Sequence, residues 1–181
     1  MTVKLSTLSI CLGLLVAAIN LFGLVQPAQF AAAARKFPRS LPVGYFFMAL
    51  GAAWFIWNVH GESLADFEPL KPYLYTLFVA VGLGACLFVQ DFLAVRGLAV
   101  VLMLLAKLMV DSERWAASEW RWVIAAWAYL MVIAGTWLTV APWRLRDAIA
   151  WANANDNRVR IGSAIRCAFG VFVLILGATV F

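Results

Sequence analysis

The sequence is poor in charge. Only 13% of its 181 residues are Asp, Glu, Lys or Arg, about half the share of a soluble domain. That scarcity excludes an ordinary water-soluble globule. It also excludes a disordered chain, which stays unfolded by being polar and charged. Cysteine is scarce too. Cys11, Cys86 and Cys167 stand alone, each inside an apolar run, with no CxxC pair. A secreted disulfide scaffold is excluded, and isolated thiols in such runs behave as small apolar residues. There is a single histidine, His60, so a haem held between two axial histidines has no ligand set.

Acidic groups are missing where an ion or proton path needs them. Every Asp and Glu falls in a connection or at the end of an apolar run, whereas a transport path places carboxylates within the spans. Asn20, Thr136 and Thr139 are the main polar groups inside the runs. Such residues more often hydrogen-bond a neighbouring helix than bind an ion. The chain also lacks GxSxG, HExxH and a phosphate-cradling glycine loop, the spacings that assemble common hydrolase, metalloprotease and nucleotide sites.

What is present is apolar: 65% of the residues are hydrophobic. A helix crosses a bilayer with about 20 apolar residues. Six runs of this kind can be marked, at 5–25, 43–59, 73–89, 92–110, 121–140 and 162–181. The composition predicts an all-α polytopic membrane protein, a single integral domain over 1–181 with about six transmembrane helices. The first run follows one cation, Lys4, and is long for the core of a signal peptide, so it reads as a retained helix. The third and fourth runs are separated by little more than Gln90 and Asp91. A single helix there, of roughly 38 residues, would be about twice what a bilayer needs. It would also strand Asp91 and Arg96 at mid-membrane, where charge is costly. A tight hairpin brings both to the surface and is the expected arrangement.

Six crossings put both termini and two connections on one side, the terminal side. Five cations fall there (Lys4, Lys71, Lys107, Arg114, Arg121), with six acids (Glu62, Asp66, Glu68, Asp111, Glu113, Glu119). The other side, the basic side, carries nine cations, Arg35, Lys36, Arg39, Arg96, Arg144, Arg146, Arg158, Arg160 and Arg166, against Asp91, Asp147 and Asp156. Positively charged loops stay in the cytoplasm. The expectation is a bacterial inner-membrane protein with a cytoplasmic basic side and both termini outside. The net charge of +5 would suggest nucleic acid as a partner of a soluble protein. Here the cations sit in short connections between apolar runs, and anionic phospholipid headgroups are the expected partner instead.

Two stretches share an organisation. One runs from Gln26-Pro27 through 28–37 to the basic Arg39 and on to Gly44; the other runs from Pro142 through 143–154 to Arg158, Arg160 and Gly162. Each leaves a span at a proline, which suits a first helical turn because its missing N–H is an orphan there anyway. Each then runs along the surface, turns basic and re-enters at a glycine. The two surface stretches are expected to be short interfacial helices. With Arg96-Gly97 as a shortened version, the chain reads as a candidate set of three similar hairpins. Residue identity between them is low, so organisation alone carries the likeness. The polar stretch 153–157 is the best contact point on this side for a partner.

The candidate positions follow from residue chemistry. Lys107 is the one charge well inside a span; its stem can reach the interface, or its ammonium can pair with an acid on another subunit. Asn20, Asp91, Arg96 and His60 are the other polar or partner-contact candidates. His60 with Glu62, Asp66 and Glu68 forms a loose acidic loop, read as solvated more readily than as a metal site. Gly170 and Gly177, and Ala49 and Ala53, are spaced to allow close helix packing, and Gly82, Gly84 and Ala85 crowd together in the third span. Trp143, Trp151, Trp115 and Trp120 read as interfacial anchors, since an indole is apolar with one polar N–H. A stacking platform for a pigment or quinone is the less favoured reading of the tryptophans.

The absences favour a non-catalytic membrane subunit or scaffold of a larger membrane complex, with other membrane subunits and lipids as partners and self-association open. No cofactor or metal is expected, bound lipids aside. The alternative is a small transporter or channel built from hairpin repeats. A lipid-headgroup enzyme using His60 and a loop acid comes third.

Overall fold

The computed structural model of the chain describes residues 3–63, 65–114, 116 and 118–181, with backbone alone at 65–67. Eight α-helices follow one another: α1 Leu5–Val25, α2 Pro27–Lys36, α3 Leu41–Gly61, α4 Lys71–Phe88, α5 Leu93–Glu113, α6 Arg121–Val140, α7 Trp143–Ala152 and α8 Asp156–Thr179. Short 3-10 turns occupy Phe37–Arg39 and Ala65–Leu70, and there is no strand among the described residues. Among the described residues six helices are long and apolar enough to cross a membrane, consistent with a multi-pass membrane protein. A helix of 21 residues, the length of α1, α3 and α5, spans about 31 Å, close to the hydrocarbon thickness of a bilayer.

The element boundaries depart from the sequence expectation in an instructive way. The last helix begins at Asp156, well before Gly162, so Arg158 and Arg160 are helical. An acid in the first turn suits the positive end of the helix dipole. The two interfacial segments are helices of 10 residues each, α2 and α7, with Pro27 in the first turn of α2 and Pro142 capping α7. The three long helices that run towards the basic side end alike. Gln26 (φ −130, ψ 67), Val89 (φ −124, ψ 58) and Ala141 (φ −130, ψ 69) share one backbone conformation as they leave.

Packing does not follow the hairpins. Among the described residues α1 does not pack along α3, nor α4 along α5, nor α6 along α8. Each returning helix instead packs against the next outgoing one: α3 with α4, α5 with α6 and, joining the two ends of the chain, α8 with α1. A further pair, α3 with α5, ties the bundle together. Gly44 lies against Ala94, Gly97 against Met48 and Gly51 against Val100, so α3 and α5 run parallel. Gly13 meets Gly170, and Gly177 meets Ile10, so α1 and α8 are antiparallel.

These crossings are backbone contacts. A Cβ on Gly13 would lie 2.6 Å from the Gly170 carbonyl oxygen, one on Gly170 would lie 2.7 Å from the Ala17 amide nitrogen, and one on Gly177 would lie 2.9 Å from the Ile10 nitrogen. Across α3 and α5, a Cβ on Gly44 or Gly97 would come within 2.9 Å of a backbone nitrogen. Lipid tails are as apolar as leucine, so helices in a bilayer associate through such close van der Waals fit. Ser9 and Ser163 act as small residues of the same α1–α8 seam; both are fully buried, and neither hydroxyl has a partner among the described residues. A core of Leu5, Leu8, Leu12, Ala106, Met109, Ile124, Ala128 and Val173 joins α1, α5, α6 and α8 in the terminal half of the bundle.

Two packing candidates have a different place. Ala49 and Ala53 lie on the exposed face of α3, whose close-packing residues are Gly44 and Gly51. The four-residue step Ala49–Ala53 lies on one face of α3, and the glycines seven apart, Gly44 and Gly51, lie on the face that meets α5. Gly82 and Gly84 have nothing within 4 Å of where a Cβ would stand. The α4 helix that carries them has no buried residue, and its one face-to-face contact is the stack of Phe78 on Phe55 of α3, with ring centroids 3.7 Å apart.

Gly170→Ala should therefore destabilise the purified protein by about 1–3 kcal/mol, the usual cost of overpacking a tight contact. Gly82→Ala should leave it unchanged or slightly more stable. Thermal unfolding in one detergent reads both; equal effects would contradict the packing described.

Candidate functional site

Polar groups collect at the two ends of the bundle. At the terminal end, α3 stops at Gly61 and the next residue, Glu62, turns extended (φ −90, ψ 141). That turn carries its carboxylate back to α5. Lys107 Nζ lies 3.0 Å from Glu62 Oε1 and 2.6 Å from Asp111 Oδ2, one helical turn along α5. The ammonium thus finds both counter-ions within its own chain. All three side chains remain part-exposed. They border a recess of about 570 Å³ shared with Trp54, Asn58 and His60.

His60 is exposed and makes no hydrogen bond to an acid among the described residues, and the carboxylate next to it in sequence is engaged by Lys107. A general acid–base pair needs its two groups within hydrogen-bond reach, and these are not so placed. No group of three His, Cys, Asp or Glu is positioned to hold a metal among the described residues. Glu68 pairs instead with Lys71 at 2.9 Å. The side chain of Asp66, and Trp115 as a whole, lie outside the described residues.

The basic end is organised by the breaks after α1 and α6. They lay α2 and α7 beside each other, and the Arg35 guanidinium donates to the backbone carbonyl of Asn153 across them. Asn153, expected to be part of an outward polar stretch, is 7% exposed, and its backbone is used inside the chain. Residues 154–157 are exposed. Beneath this bridge lies a groove of about 410 Å³, between α2 and α7 on one side and α1 and α8 on the other. Phe30, Leu145 and Ile149 give it an apolar wall, and Asn20 and Arg166 give it a polar floor.

Asn20 is 6% exposed, and both its amide nitrogen and its oxygen are hydrogen-bonded. Its amide nitrogen donates to the Val16 carbonyl at 2.8 Å, and its oxygen accepts from Arg166 Nε at 2.9 Å. Arg166, one of the nine cations of the basic side, lies within the run 162–181 and in the structure is held by α8 against Asn20 of α1. The sequence held the signal: a lone arginine spaced on one helix face with Ser163 and Gly170, both of which face α1.

The remaining candidates are dispersed. Asp91 is exposed in the turn between α4 and α5, and Arg96 is half-buried one turn into α5; they form no ion pair with each other. The Arg96 Nε is buried without a partner among the described residues. Phe92, between them, takes a left-handed conformation (φ 57), which costs a non-glycine residue about 1–3 kcal/mol. The turn is held by Leu93 N–H donating to the Gln90 carbonyl, and the Phe92 ring lies 6.0 Å from the Arg146 guanidinium. Thr136 faces outward, and Thr139 donates to the Gly135 carbonyl within its own helix. Trp143, Trp151 and Trp120 are exposed at helix ends; Arg158 lies over Trp151 at 5.5 Å, and Trp120 meets Phe172 edge-on at 6.2 Å.

Compared with protein-family models, curated proteins and solved structures, the chain matches none.

A double-mutant cycle on Lys107→Met and Glu62→Gln should return a coupling of less than about 1 kcal/mol that shrinks with added salt, as for other part-exposed pairs. A coupling several times larger and independent of salt would place the pair in a dry environment.

Proposed function

We propose that this chain is a non-catalytic membrane subunit or scaffold, which joins a larger membrane complex through its α4 helix. The observation that carries the reading is α4 itself. It is apolar enough to cross a membrane, yet none of its residues is buried. Every other spanning helix is seated on a neighbour by at least one glycine crossing. In α4 the glycines Gly82 and Gly84 face open space. Small residues exposed in a span are the means by which a second helix approaches closely.

The chemistry at the ends agrees with a role without turnover. Lys107 is neutralised within the chain, Asn20 is engaged by Arg166, and His60 has no acid partner among the described residues. A conduit would place polar groups around a water-reachable midplane, and Thr136 and Thr139 instead point outward or back to their own helix. Partners on this reading are other membrane subunits, a second copy included, together with phospholipids. Nucleic acid has no part in it, and no cofactor is invoked. The excess of cations on the basic side supports a bacterial inner-membrane location, with that side in the cytoplasm and both termini outside.

The test is co-purification. An affinity tag in the exposed segment 154–157 should be shielded from protease added outside intact cells. After extraction in a mild detergent it should bring down a stoichiometric assembly larger than one chain on a native gel. Gly84→Leu should release those partners and leave the chain folded, because its side chain meets nothing within the chain. A lone, monodisperse monomer from wild type sinks the reading.

A further inference from the structure

The Arg166 guanidinium sits in an unusual position. Its Nε is tied to Asn20, and among the described residues its two terminal nitrogens have no protein acceptor and no carboxylate partner. Asn20 lies five residues before the end of α1 at Val25, so the bond is about 7.5 Å inside that end. A charge at such depth in a span is costly unless it is paired. The acids of the basic side do not supply the pair. Asp147 is held by Arg146 at 2.8 Å, Asp91 lies at a separate recess with Arg39, and Asp156 is exposed three turns back along α8 towards its start. Arg166 is an exposed residue, and with no acid of the chain facing it among the described residues its terminal nitrogens are open to an anion from outside the chain.

The groove around Arg166 defines that anion. Its wall is apolar along Ile19, Phe30, Ala34, Leu145, Ala148 and Ile149. At its rim lies Asn153, whose carbonyl accepts from Arg35 of α2. A free inorganic anion would make no use of the apolar wall. A phospholipid uses both parts: its acyl chain covers the wall and its phosphate takes the arginine fork. Guanidinium matches phosphate in a two-point geometry. We propose that the groove between α1, α8, α2 and α7 is a binding site for one anionic phospholipid, with Arg166 as the phosphate ligand and Asn20 as the residue that positions it. The site is independent of what α4 contacts, so failure of one reading leaves the other standing.

The experiment is native mass spectrometry of the full chain in a neutral detergent. The protein is titrated with dioleoylphosphatidylglycerol and, separately, with dioleoylphosphatidylcholine. Both lipids offer a phosphate, but in phosphatidylcholine the choline cation already answers its charge, so wild type should retain one phosphatidylglycerol at least about tenfold more tightly. Arg166→Gln should bring the two lipids level. Arg166→Lys should retain part of the preference, keeping the charge and losing the fork. Ala148→Trp, which fills the groove from α7 and leaves the arginine in place, should remove the bound lipid and keeps the test open if Arg166→Gln fails to fold. Equal binding of the two lipids by wild type would overturn the proposal. So would phosphatidylglycerol binding unchanged by both Arg166→Gln and Ala148→Trp, or its displacement from wild type by millimolar inorganic phosphate, which would mean that the arginine reads a free anion.

Discussion

The bundle depends on glycine backbones that touch. Water drives helices of a soluble protein together by expelling apolar surface, and a bilayer exerts no such drive between apolar helices. What remains is close fit. The α1–α8 seam, with Gly13, Gly170 and Gly177 against opposing backbone, is the longest such contact and joins the two ends of the chain. The α3–α5 seam repeats the device in a parallel pair through Gly44 and Gly97, and Gly135 seats α6 on Met103 of α5. Leucines of α1 then fill the terminal half together with Met109, Ile124 and Val173. Remove the glycine seams and these side chains have nothing to hold them in register.

The same constraint explains what is left over. α4 has glycines but no opposing backbone within the chain. At the basic end, the breaks after Val25 and Val140 turn two spans into surface helices, and the space they roof is a groove and not a packed core. Each unfilled surface has a chemistry. The exposed surface of α4 is apolar, with Leu77, Val81, Leu83 and Leu87 around Gly82 and Gly84, suited to another helix. The groove is apolar with an arginine at its floor, suited to an amphiphilic anion. The cations Lys107 and Arg166 are met differently at the two ends: Lys107 is answered by Glu62 and Asp111, while Arg166 is oriented by Asn20 and has no acid partner among the described residues.

Much of the fold is legible in the residues. Runs of about 20 apolar residues specify spans directly, because length and hydropathy are local properties. The limits of the first and fifth runs, 5–25 and 121–140, coincide with α1 and α6. The breaks at Pro27 and Pro142 announce α2 and α7 for an equally local reason. Helix ends next to polar sequence are less legible: Asp156 to Ile161 reads as a hydrophilic connection by composition and folds as the first turns of α8. Arg166 lies in the run 162–181, and its groove is hidden because the Asn20 partner and the α2 and α7 walls come from distant parts of the chain. Pairing is the least legible part. Gly170 and Gly177 sit in the α1–α8 seam, whereas Ala49 and Ala53 face away from it and from α5. Helical spacing identifies a small-residue face, but what lies opposite is decided by residues more than 100 positions away, as with Gly13 and Gly170. Lys107 is the same case: its charge marks it in the sequence, and Glu62, on another helix end, becomes its partner only through the α3–α5 contact.

The central claim is that the open face of α4 is a protein-contact surface and the equally exposed face of α6 is not. Photo-crosslinking in intact membranes compares the two directly. A photoreactive residue at Leu83 on α4 and one at Leu130 on α6 have similar exposure, 59% and 63%. The account predicts a discrete protein adduct of higher mass from position 83 and only lipid adducts from position 130. Lipid adducts alone from both positions would contradict it, and would make α4 a free span surrounded by lipid.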